Sequence, residues 1–134
     1  MDQVKINWLA VALATLSAFL IGGVWYSKLL FANKWMQLTG MTEEKARSGN
    51  MAKIFGTTLI LAFISAANLA AFIGASASVS FAVFAGFAAG LGWVATAYGT
   101  TYLFEHRPFA LWAINAGYHV VTLTVMGLII GIVR

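Results

Sequence analysis

The stretch FALWAINAGYHVVTLTVMGLIIGIV, Phe109 to Val133, contains no Asp, Glu, Lys or Arg and is longer than the ~20 residues that a helix needs to cross a hydrocarbon core. Three further runs resemble it: Trp8 to Phe31, Met51 to Gly74 and Val79 to Phe104. Together they fill most of the 134 residues and predict an all-α fold, an integral membrane four-helix bundle made of two antiparallel transmembrane hairpins. Residues 1–134 then form a single transmembrane domain. Hydrophobic residues make up 61% of the chain, charged residues only 9%, and the mean hydropathy is +0.86, a balance that one soluble core of this size could not absorb. The longest stretch outside the runs, about 32–50, is too short to enclose a core of its own, so no separate soluble catalytic domain is expected.

The first run follows Lys5 and could be mistaken for a secretory leader. Its apolar length exceeds the 7–15 residues of such a segment, and a membrane span is the expected reading. The absence of cysteine removes disulfides and thiolate metal ligands.

The position of the charges predicts orientation. Lys28, Lys34, Lys45, Arg47 and Lys53 surround the first connection and Arg107 lies in the third, whereas Lys5 and Arg134 are near the termini. Six basic residues against two place the first and third connections in the cytoplasm and both termini outside. Insertion bias accounts for the net charge of +4, so no nucleic-acid partner is expected.

The first connection has an order of its own. Ser27 to Leu38 mixes Leu29, Leu30, Phe31, Trp35 and Met36 with Lys28, Asn33, Lys34 and Gln37, which suits a segment along the headgroups. Gly40 breaks it. Thr42 is placed to cap a short interfacial or cytoplasmic helix with Glu43 and Glu44 in its first turn and Lys45 and Arg47 near its end, before Gly49. This connection is either a solvated linker or a docking surface for a cytoplasmic partner. The third connection, Glu105 to Pro108, is nearly minimal, with Pro108 suited to the first turn of the next helix.

Small residues recur at helical spacing: Ala10, Ala14, Ala18 and Gly22 on span one, Gly86 and Gly90 on span three, Gly127 and Gly131 on span four. Such stripes allow close backbone approach between membrane helices, within one chain or between two copies. A homo-oligomer is a reasonable expectation for so small a bundle.

Polar residues within the spans are the candidates for function. Asn115, His119 and Thr122 fall at i, i+4 and i+7 and share one face of span four. His119 lies near the middle of that span, where an ionisable group needs a partner or water. Asn115 lies ~9 Å toward the cytoplasm from the span's centre, counted at 1.5 Å per residue. Trp25, Thr57, Thr58, Thr96 and Thr100 occupy the same half and could join one inward-opening polar layer, although depth does not fix which face each takes. Asn68 sits apart, in the outer half. Trp8, Trp25, Tyr26, Trp35, Tyr102 and Trp112 near the boundaries read as interfacial anchors. Two histidines without cysteine make no zinc site, and neither metal nor other cofactor is expected.

Asn7-Trp8-Leu9-Ala10-Val11, Gly23-Val24-Trp25-Tyr26 with Trp35 and Gly40, then Tyr102-Leu103-Phe104-Glu105 through Arg107-Pro108 to Asn115-Ala116-Gly117-Tyr118-His119 and Met126-Gly127 resemble the bacterial membrane proteins of domain-of-unknown-function family 1761. The likeness covers nearly the whole chain. It implies a small four-span protein of the inner membrane and brings no activity, cofactor or catalytic residue. Three classes follow from the residues. One is a homo-oligomeric small-solute or ion transport or binding protein, with Asn115, His119 and Thr122 as its lining and Trp25 and Thr96 nearby. Another is a structural or accessory membrane protein that binds a larger partner through helix grooves and the 32–50 connection. An intramembrane enzyme is not expected, because no nucleophile–base pair, carboxylate dyad or metal set can be assembled.

Overall fold

A computed structural model describes residues 5–133. Arg134, counted above among the charges near the termini, lies outside the described residues. The helices are α1 (Trp8–Trp25), α2 (Ala32–Thr39), α3 (Glu43–Arg47), α4 (Met51–Ile73), α5 (Val79–Ala89), α6 (Thr96–Phe104) and α7 (Phe109–Ile132). A π-helical turn, Gly90–Ala95, joins α5 to α6 in one continuous rod, and there is no strand among the described residues. Four elements are long and apolar enough to span a membrane: α1, α4, the α5–α6 rod and α7. The chain is thus an all-helical, four-span bundle.

Local chemistry fixes the helix ends. The Asn7 side chain accepts from the Leu9 and Ala10 amides, Asn50 from Lys53, and Ser78 from Phe81. Thr42 caps α3 by accepting from the Lys45 N–H at 3.1 Å, with both glutamates in the first turn as the sequence predicts. Gly40, at φ 75°, closes α2 in the left-handed conformation that glycine tolerates best.

Two boundaries differ from expectation. Span one does not run on to Phe31: its helix stops at Trp25, and the Phe31 N–H folds back onto the Trp25 carbonyl at 3.1 Å. Hydropathy alone counts Leu29, Leu30 and Phe31 as membrane core. The polar pair Ser27 and Lys28 instead turns the chain, and the Ser27 hydroxyl donates to the Val24 carbonyl at 2.7 Å. Pro108 occupies the N-cap rather than the first turn of α7, with extended backbone (φ −67°, ψ 151°). The preceding turn reverses through His106 at φ 58°, and the Arg107 N–H reaches the Tyr102 carbonyl at 2.9 Å, the six-to-one bond that ends many helices.

The two Gly-x-x-x-Gly pairs meet each other inside one chain. A Cβ on Gly86 would stand 2.1 Å from the Leu123 carbonyl oxygen, and one on Gly127 would stand 2.3 Å from that of Ala82. Gly90 lies against Val120, and Gly131 against Val79 and Ala82. This seam locks α5 to α7 at backbone distance. On the other side of α7, the stripe Ala10, Ala14 and Ala18 of α1 is buried, and Gly22 lies under the Tyr118 ring. α4 is buried only toward its end, at Ala66, Leu69, Ala70 and Ile73, while residues 51–61 are exposed. The Asn7 amide, 3.4 Å from the Val133 carbonyl, places the two ends of the described chain side by side, at the opposite end of the bundle from the α1–α4 and α6–α7 connections.

Candidate functional site

All four tyrosines of the chain converge at the end of the bundle that carries the α1–α4 and α6–α7 connections. The Tyr26 hydroxyl donates to Asn115 Oδ1 at 2.8 Å, and Asn115 Nδ2 donates to the Tyr102 hydroxyl at 2.9 Å. One turn deeper, the Tyr98 hydroxyl and His119 Nε2 are 3.1 Å apart, with their rings stacked at 5.2 Å. Tyr118 stands edge-on to His119 at 5.0 Å, contacts the Tyr26 ring at 5.5 Å, and donates its hydroxyl to the Ala18 carbonyl at 2.9 Å.

Apart from Tyr118, which lies behind the wall, these groups do not close on one another. They border an open cavity of about 640 Å³, with Tyr26, Tyr98, Tyr102, Asn115 and His119 on its deep wall. Trp35 and Met36 of α2, with Ala46 of α3, form the facing side, so the 32–50 connection is a wall of the cavity rather than a detached linker. Lys28, Glu43 and Arg47 line the mouth. Lys28 Nζ pairs with Glu43 Oε1 at 3.0 Å, and that hydrogen bond is the main reason the exposed Glu43 carboxyl is held below its usual pKa. Among the described residues, no three His, Cys, Asp or Glu side chains gather as a metal site would require.

The sequence-derived candidates separate here. Asn115 and His119 line the cavity. Thr122 is 4% exposed and does not: its hydroxyl has no hydrogen bond of ordinary geometry, and its approach to Tyr118, whose own proton goes to Ala18, falls short of one. Replacing a buried, unsatisfied hydroxyl by a methyl removes a desolvation cost, so Thr122→Val is expected to raise stability by about 1 kcal/mol, measured by thermal unfolding in detergent. A loss of that size would instead reveal a partner for the hydroxyl.

Trp25 is a structural neighbour of the site rather than part of its lining. Its indole N–H donates to the Ile114 carbonyl at 2.9 Å and its ring covers Gly117. Thr96 must be corrected outright. It is exposed, and its hydroxyl lies 2.8 and 3.0 Å from the Gly92 and Trp93 carbonyls of the π turn. Thr58 and Thr100 bond to their own helices in the same way, and Asn68 donates to the Ile64 carbonyl. By count along their spans Thr58, Thr96 and Thr100 share the depth of the site, but not its direction around the helix.

Tyr98 and Tyr118 carry no signal in a hydropathy reading, and Tyr26, Tyr102 and Trp35 pass for boundary anchors. The π turn is the reason the first of them is hidden. On an unbroken α-helix at 3.6 residues per turn, Tyr98 would sit about 120° around the axis from Gly86, off the face that meets α7. One extra residue in a π turn reduces that offset to about 20° and brings the tyrosine to the seam. The carbonyls loosened by the wide turn are satisfied by the Thr96 hydroxyl and by Trp112, whose indole N–H donates to the Ala95 carbonyl at 2.8 Å.

A bundle of this length and composition, with an aromatic and hydrogen-bonded cavity at one end, defines a small four-span helical membrane protein. The family described as "Protein of unknown function (DUF1761)" matches residues 9–131, and the chain belongs to it. No curated protein and no solved structure matches the chain.

Proposed function

We propose that this protein binds a small solute in the tyrosine-lined cavity, as a binding or transport component rather than an enzyme. The observation that carries the reading is the convergence of Tyr26, Tyr98 and Tyr102 with Asn115 and His119 on a space left open. Packing alone favours closing such a space, since a gap deprives its lining of contacts. A cavity of about 640 Å³ falls within the range of small-molecule sites, with mostly apolar walls and a few placed polar groups.

The excess of basic residues near the cavity mouth supports an opening to the cytoplasm and termini outside, in the inner membrane of a bacterium. The exposed first half of α4, with Phe55, Leu59 and Ile60 outward, supports assembly with a second copy. Binding of a larger partner through the helix grooves and the 32–50 connection is the second reading; the many α2 and α3 side chains exposed on the outer side of that wall favour it.

Because the chain has no cysteine, single cysteines report access directly. Asn115→Cys and Ala46→Cys are expected to react with a membrane-impermeant thiol reagent from the cytoplasmic side only, and Thr122→Cys from neither side. Protection of Asn115→Cys and Ala46→Cys from both sides would sink the solute reading and leave the partner-binding one.

A further inference from the structure

We infer that the cavity takes a planar organic acid, held by its carboxylate, an assignment that rests on the solute-binding reading above. The polar groups of the deep wall hold protons to spare. In the Tyr26–Asn115–Tyr102 chain, two hydrogen bonds are made and one hydroxyl proton is left over. As drawn, the spare proton belongs to Tyr102. Reversing the Asn115 amide only transfers it to Tyr26, which also lines the cavity.

The second pair obeys the same arithmetic. A neutral His119 and Tyr98 own one N–H and one O–H between them, and their single contact uses one of the two. Whichever tautomer is present, one donor is unspent. Leaving aside the second N–H of the Asn115 amide, two donors are therefore without an acceptor.

Charge points the same way. Among the described residues, the only carboxylate lining the cavity is Glu43 at the mouth, already engaged by Lys28 at 3.0 Å and approached by Arg47 at 4.0 Å. Two cations against one anion at the rim draw an anion inward. The ring faces of Tyr26, Tyr98, Tyr102 and Trp35 suit a flat apolar body behind the carboxylate. Aromatic faces also attract cations, which is the competing ligand class to be excluded.

Benzoate, benzamide and benzamidinium have nearly the same shape and differ in charge and in hydrogen-bond sense. Their binding to the purified protein, by calorimetry and by protection of Ala46→Cys from labelling, should rank benzoate first, at least tenfold tighter than benzamidinium. The double variant Tyr98→Phe/His119→Phe, which removes the pair's mutual bond together with its one unspent donor while keeping two rings, should weaken benzoate about tenfold, as expected for a hydrogen bond to a charged group. Equal or tighter binding of benzamidinium would overturn the acid assignment and leave solute binding standing. An unchanged benzoate affinity in the double variant would overturn the donor assignment. If none of the three probes binds, the acid assignment fails; if Asn115→Cys and Ala46→Cys are also unreactive from both sides, the solute reading fails with it.

Discussion

Gly86→Ala is expected to destabilise the bundle by about 3 kcal/mol or more, because its new methyl would stand 2.1 Å from a backbone oxygen. No rotamer change can relieve that contact, since the Leu123 carbonyl belongs to α7 itself, and the helices must move apart. Gly127→Ala should behave alike, with its Cβ 2.3 Å from the Ala82 oxygen. The two sites share one seam, Gly127 Cβ lying 3.5 Å from Gly86 Cα, so a first forced separation accommodates much of the second and the double variant should fall short of the sum. Gly56→Ala is the control: nothing stands within 4 Å of its Cβ, and a helix-interior alanine should stabilise by about 0.5–1 kcal/mol. Thermal or detergent-titrated unfolding of these variants decides the matter. If Gly86→Ala unfolds with the control, the close seam does not exist.

Trp25→Ala should be comparably severe, at about 3–5 kcal/mol. The indole ties three things at once: it donates to the Ile114 carbonyl, covers Gly117, and meets the Phe31 ring at 5.0 Å where the chain turns back after α1. Trp25→Phe separates shape from hydrogen bonding. It leaves a ring in place but removes the indole's bond to the Ile114 carbonyl, which inside α7 keeps its helical partner, at a cost of about 0.5–1.5 kcal/mol. Because Trp25 supports the wall without lining the cavity, labelling of Asn115→Cys in the Trp25→Phe background should be unchanged. A large loss of labelling would return Trp25 to the ligand-contacting set.

Much of the fold was legible because it depends on chemistry that the chain displays locally. Apolar length announced the four spans, and Thr42 with Glu43 and Glu44 announced α3. The glycine pairs announced close packing, but a stripe of small residues looks the same whether its partner is a neighbour in the chain or another copy. Only the interlocking of Gly86 with Leu123 and of Gly127 with Ala82 identifies the partner as the same chain. Asn115 and His119 were legible because polar groups at that depth are costly. Thr96 was misplaced for the converse reason: a threonine can satisfy its hydroxyl on its own helix and face outward at little cost. The tyrosines were hidden by their dual nature, since a ring with a polar tip suits a membrane boundary as well as a cavity wall.

The π turn Gly90–Ala95 has a consequence for how this sequence tolerates change. A chain shortened by one residue between Gly90 and Tyr98 keeps its hydropathy, its glycines and its tyrosines, and its third span can run as a plain α-helix in which the offset from Gly86 to the first tyrosine stays at about 20°. A single deletion is thus absorbed by loss of the turn, whereas a chain of unchanged length whose third span ran as an unbroken α-helix would carry everything beyond the turn about 100° around the axis, away from α7. The cavity therefore depends on the extra residue and the wide turn being kept or lost together, more than on the identity of any residue in between.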